Sequence, residues 1–131
     1  MKVGMFVTNA FVSDPRVYAE ARSLIRAGYE VTVIAWDVEK QNPPKQNWDG
    51  IEVIRPRTRQ LPIRHRLPLS WTFNITGHWH NIYRQALILN KERQLGIVHC
   101  HDLDTLAIGV RLKGRLGLPL IYDAHEIYGY Q

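Results

Sequence analysis

Ile97-Val98-His99-Cys100-His101-Asp102 and, about twenty residues on, Leu120-Ile121-Tyr122-Asp123-Ala124-His125-Glu126 each run from apolar residues straight into imidazoles and carboxylates. Short continuous apolar runs are how strands buried on both faces read, and such strands belong to parallel sheets flanked by helices. In open sheets of that kind ligands collect at the strands' carboxyl ends. These two segments therefore set both the expected fold and the expected place of its chemistry.

Working outward, the same pattern recurs. Val3 to Val7, Glu30 to Ala35 and Ile51 to Ile54 read as strands, Ile97 to Cys100 as a fourth and Leu118 to Tyr122 as a fifth. Between the first two lies a helix with Asp14 as N-cap and Pro15 at its first position, an order in which the carboxylate accepts orphan N–H groups and proline has none to lose. Val17, Ala21, Leu24 and Ile25 form its apolar stripe, and Gly28 is its natural stop. Trp36 to Asp49 reads as a polar loop with turn signals at Pro43-Pro44 and Asp49-Gly50. One or two helices fill about Ser70 to Leu95 on the spacing of Trp71, Ile75, Trp79, Ile82, Ala86 and Leu89, with Gly77 a potential break, and Asp104 to Leu116 is the last helix.

Strands alternating with helices imply right-handed βαβ units. The expected fold is α/β: a doubly wound, mainly parallel Rossmann-like sheet, strand order 3-2-1-4-5, with helices on both faces. In that order the winding reverses between strands one and four. The loop Asn9–Asp14 and the loop His99–Asp104 flank the resulting crevice, and strand five adds Asp123, His125 and Glu126.

The 131 residues suit one domain with a real core. The formal charge is +5, unevenly spread. No Asp or Glu occurs between Val53 and Asn90, a stretch that holds Arg55, Arg57, Arg59, Arg64, Arg66 and Arg84. A one-signed patch favours an anionic partner. With its tryptophans, the Arg55–Trp79 region could lie on an anionic bilayer or be a solvated loop leading into an ordinary helix; no nucleic-acid motif occurs, and none is expected as partner. Cys100 is the only cysteine, which excludes an internal disulfide and a thiolate cage. Lys2 to Thr8 is too short for a signal peptide, and no window reaches the roughly eighteen apolar residues of a membrane span. A cytoplasmic location is expected, with surface contact to a membrane left open.

His101 is the candidate catalytic group, since an imidazole at a strand exit titrates near neutrality and can donate, accept or bind phosphate. Asp102 could serve the site or cap the following helix. His99 is expected as a hydrogen-bonded core residue. The His99-Cys100-His101-Asp102 run with His125-Glu126 offers conceivable zinc ligands, yet Leu103 stands where the binuclear hydrolase pattern needs Asp; no metal and no cofactor is expected. The loop after the first strand, Asn9-Ala10-Phe11-Val12-Ser13-Asp14, lacks glycine and lysine, so neither a dinucleotide fingerprint nor a P-loop is present. Arg16 could bind an anion or be solvated.

Ser13-Asp14-Pro15-Arg16-Val17 with Ala21 and Leu24, Gly28-Tyr29-Glu30-Val31-Thr32-Val33, Ile97 to Asp102 and Leu118 to Glu126 together resemble the N-terminal half of a GT-B glycosyltransferase of the family 4 type. The resemblance implies a single N-terminal domain over 1–131, expected to be a truncated fragment, that binds mainly the acceptor, with a donor-binding C-terminal domain absent. It implies a nucleotide-sugar donor, a glycan or lipid-linked acceptor, and retaining, metal-independent transfer in the full-length protein; 1–131 alone is expected to be inactive. His101 matches the family's cleft histidine. Asn9, Asp14, Arg16, Asp102, His125 and Glu126 are the implied substrate contacts. A non-enzymatic flavodoxin-like module is the alternative.

Overall fold

The computed structural model describes residues 1–57 and 69–124, apart from the side chains of 69–76. In chain order the elements are β1 (Lys2–Val7), α1 (Pro15–Arg26), β2 (Glu30–Ala35), β3 (Lys45–Trp48), β4 (Ile51–Ile54), α2 (Leu69–Arg93), β5 (Ile97–His101), α3 (Leu103–Leu116) and β6 (Leu120–Asp123). The sheet runs β3-β4-β2-β1-β5-β6. Five strands are parallel, in the order expected, and β1 sits between β2 and β5 where the winding reverses.

The addition is β3, which pairs antiparallel with β4 inside the stretch expected as loop. Lys45-Gln46-Asn47 is exposed, so β3 has no apolar alternation to announce it. It is held instead by the turn that joins it to β4. Asp49 and Gly50 both adopt positive φ, 51° and 85°, as a two-residue hairpin requires.

Strict alternation divides the core into two layers. Val3, Met5 and Val7 of β1 face α1, together with Val17, Ala21, Val31, Val33 and Val53. Phe6 faces the opposite way, into α2 and α3, with Ile34, Ile82, Ala86, Leu89, Val98, Cys100, Ile108 and Leu112. α1 begins where expected: the Asp14 carboxylate accepts from Val17 N at 3.2 Å, and Pro15 follows. Gly28 (φ 86°) and Gly117 (φ 68°) close α1 and α3 in the left-handed conformation.

α2 is one helix of 25 residues and Gly77 does not break it. Burial of His78, Ile82, Tyr83, Ala86 and Leu89 outweighs the roughly 1 kcal/mol that a helical glycine costs. Trp36 stacks on His78 at 4.4 Å and meets Trp79 at 5.3 Å, so Trp79 turns inward. α3 lies unusually close to β5: a Cβ on Gly109 would come within 2.5 Å of Cys100 Sγ. That approach sets how closely the second turn of α3 lies over β5 and β6. Among the described residues no helix is long and apolar enough to cross a membrane.

Candidate functional site

Alternate residues on a strand share a face, so His99 and His101 project from β5 on one side. The parallel register sets His99 beside Met5 of β1 and His101 beside Asp123 of β6. Since Met5 faces α1, so do both imidazoles, and the helix presents Glu20 to them. Glu20 Oε2 lies 3.9 Å from His99 Nε2 and 3.9 Å from His101 Nε2. Asp123 Oδ2 lies 3.6 Å from His101 Nδ1. The two rings are 4.2 Å apart, centroid to centroid. Ligating atoms of all four residues fall within 4.8 Å of one another, a donor set able to hold a metal ion.

His101 is only 1% exposed. The candidate catalytic ring therefore does not open directly onto the crevice. The strand's alternation carries it beneath the rim, toward α1. His99, expected in the core, is partly buried and belongs to the same group; it lines a hollow of about 570 Å³ with Val3, Ala19, Glu20, Ile97 and Ile121. Glu20 was not legible as a site residue. Its position three residues after Val17 and four before Leu24 puts a carboxylate at the margin of the apolar stripe, and that anomaly was the available signal.

At the end of β5 the chain turns sharply into α3. Asp102 carries the turn with φ 65° and ψ 156°. Only glycine adopts that region readily, and the strain is worth about 1–3 kcal/mol. Asp102 occupies the N-cap position, yet its side chain makes no cap hydrogen bond. Backbone and Thr105 hold it there instead. Asp102 N donates to Asp123 O at 3.1 Å, and the Thr105 hydroxyl donates to His101 O at 2.6 Å. The structural use of Asp102 as a side-chain cap is thus set aside, while its half-buried carboxylate stands at the carboxyl end of the sheet.

Across the switch point, the β1–α1 loop is a packed plug. Asn9 Nδ2 donates to Asp14 Oδ2 at 2.8 Å, and Asn9 Oδ1 accepts from Phe11 N at 2.8 Å. Phe11, at positive φ (51°), is fully buried and meets Trp48 edge-on at 5.6 Å. Asn9 and Asp14, both candidate contacts, are thereby shown holding the loop and the helix start. Arg16 is exposed in the next turn. His125 and Glu126 lie outside the described residues.

Under this loop sits Arg55, 1% exposed. Its guanidinium donates to Ala10 O at 2.8 Å, to Pro43 O and Gln46 Oε1 at 3.0 Å each, and to Phe11 O at 3.5 Å. Burial pulls its pKa below the usual arginine range. Arg57 pairs with Asp37 at 3.3 Å and donates to Asn42 O. Burial would raise the Asp37 carboxyl, but hydrogen bonds from Asn42 and Gln41 and the charge of Arg57 hold it below its ordinary value. Two arginines of the expected basic patch are thus engaged within the domain, because the β1–α1 loop and the chain between β2 and β4 bring acceptors to them. Arg59, Arg64 and Arg66 fall outside the described residues.

The sheet is Rossmann-like, with imidazoles and carboxylates gathered near its switch point. Residues 13–131 match the family model described as a glycosyl transferase 4-like domain, and the chain belongs to that family. An uncharacterized glycosyltransferase of Methanocaldococcus jannaschii is 30% identical over 106 residues, which is 81% of this chain and 25% of that protein. Sucrose-phosphate synthase of Thermosynechococcus elongatus superposes with a TM-score of 0.68 at 10% identity, over 96% of this chain and 33% of that one. A second, shorter chain of that enzyme gives a TM-score of 0.61 at 11% identity, over 96% and 64%. At such identities these superpositions establish the fold. The chain spans about a quarter of the length of its archaeal relative.

Proposed function

We propose that this domain is the acceptor-side half of a nucleotide-sugar-dependent glycosyltransferase. The observation that carries this assignment is the carboxylate of Asp14 on the N-terminus of α1. In dinucleotide-binding sheets that helix terminus receives the diphosphate through glycine-rich backbone. Here the protein's own carboxylate takes that place, and Phe11 fills the space that glycines leave free. A donor diphosphate is repelled from this wall, so its binding falls to a partner domain across the cleft, and this half meets the acceptor and the transferred sugar.

Asp102 is the group assigned to sugar hydroxyls: a carboxylate in a strained turn, at the carboxyl end of a central strand, fixed by backbone rather than by its own side chain. Arg16 lines the opposite wall. His125 and Glu126, the next ionisable residues after β6 in sequence, complete the set of contacts. His101 works from beneath, as the buried neighbour that fixes the Asp102 turn, its carbonyl held by Thr105. Transfer is retaining, with no metal at the reacting centre. Charge on the leaving group is met by hydrogen bonds and cations in a closed cleft. The 131 residues alone do not turn over.

Replacing Asp102 by glycine tests the assignment, because glycine removes the carboxylate and relieves the backbone at once. In a protein joining this domain to its donor-side half, Asp102→Gly lowers release of nucleoside diphosphate from a panel of UDP- and GDP-sugars, with acceptor, at least tenfold. The melting temperature stays level or rises. Full turnover in that variant removes Asp102 from the site.

A further inference from the structure

We propose that Glu20, His99 and His101, braced by Asp123, bind one divalent cation of the zinc class and so clip α1 to the β5–β6 pair. The site shares His101 with the assignment above but lies beneath the crevice, and its test reads metal binding rather than turnover. Glu20 Oε2 is equidistant, at 3.9 Å, from the two Nε2 atoms. A carboxylate hydrogen-bonded to either ring would draw in to about 2.8 Å. The two longer distances leave room for an ion between Glu20 and the rings, and the ligand atoms of all four residues lie within 4.8 Å of one another. Tetrahedral bonds of about 2.0–2.1 Å put ligand atoms about 3.3 Å apart, so each of the two Glu20 edges must close by about half an ångström.

The remaining features fit the same ion. Asp123 Oδ2 lies on the Nδ1 side of the His101 ring at 3.6 Å, so a small closure on metal binding would let it accept a hydrogen bond from Nδ1–H and leave Nε2 for the cation. That is the carboxylate–histidine–metal relay by which outer groups orient a ligand. Two imidazoles and a carboxylate favour zinc-class ions over magnesium or calcium, which prefer all-oxygen sites. Cys100 takes no part: it points to the opposite layer, and burial pushes its thiol up to about 11. The hollow of about 570 Å³ that Glu20 and His99 line gives an entry path. Because the ligands come from α1 and β5, with Asp123 from β6, the cation joins elements on both sides of the switch point.

The test uses untagged protein freed of metal by chelator dialysis and titrated with zinc chloride. Calorimetry and elemental analysis after equilibrium dialysis are expected to give one zinc per chain. Glu20→Gln and His99→Gln weaken binding at least tenfold, and Asp123→Asn weakens it about tenfold or more. His80→Gln, an exposed histidine of α2, leaves it unchanged. Ring-nitrogen NMR of the unsubstituted protein gives a measure independent of how the variants fold: zinc shifts the Nε2 signals of His99 and His101 and spares His80. No retained zinc, equal binding in the variants (an adventitious ion only), or preference for magnesium overturns the proposal.

Discussion

Arg55 and His101 are both 1% exposed and both end a central strand or follow it directly, yet they are buried in opposite manners. Arg55 spreads its fork over fixed acceptors, three of them backbone carbonyls, at 2.8–3.5 Å. That is a closed site, and its charge is consumed in holding the β1–α1 loop to the hairpin. His101 faces a second imidazole and two carboxylates on rotatable stems, with the charged partners at 3.6–3.9 Å. Burial of a polar side chain thus says little by itself. One cluster is anchored mostly on backbone, whereas the other is built of side chains that can turn, and that difference separates a structural rivet from a place where something can bind.

The comparison is broken most forcefully at Arg55. Arg55→Met leaves the part-buried carbonyls of Ala10 and Pro43 without their donor, and a loss of about 2–3 kcal/mol is expected in chemical denaturation. A loss under about 1 kcal/mol would show the guanidinium to be dispensable. Next comes Gly109→Ala. Its methyl meets Cys100 Sγ at 2.5 Å and Leu120 Cδ1 at 2.6 Å, so α3 must lift from β5, at a cost of about 1–3 kcal/mol by the same measurement.

His78 sharpens the contrast as a third buried polar group, stacked on Trp36. Burial depresses its pKa to about 4 from 6.5. The unfolded chain therefore takes up the proton first, and stability present above about pH 6.5 is lost as pH falls toward 4. Calorimetry should show a melting temperature several degrees lower at pH 5 than at pH 7, and His78→Phe should flatten that slope. The smallest effect belongs to Glu20. In metal-free protein Glu20→Gln should change stability by less than about 1 kcal/mol, since the side chain is 39% exposed and 3.9 Å from either ring. A larger loss would make the cluster a rivet like that of Arg55.

The strands and caps were legible because each rests on local chemistry: apolar runs for β1, β2, β4 and β5, Asp14-Pro15 at one helix start, Gly28 and Gly117 at two helix ends. β3 was not, because an exposed edge strand needs no apolar face; only Asp49-Gly50 hinted at a hairpin. At the site, the strand exits were readable from the run of imidazoles, but which way those rings faced depended on where β1 and β6 sit in register. Glu20 became visible only once α1 lay over β5. Arg55 read as one more surface charge, since nothing within the sequence around it reveals the carbonyls that arrive from residues 10, 11 and 43. The strain at Asp102 likewise has no signature in composition.

The hairpin has one more effect, on how copies of the molecule meet. Its outer strand shows Lys45, Gln46 and Asn47 to water, so a neighbour's backbone adding there would have to strip an ammonium and two amides of solvent. At the sheet's other margin, among the described residues, β6 exposes Ile121 and Tyr122. Pairing between copies through the hairpin margin is therefore discouraged.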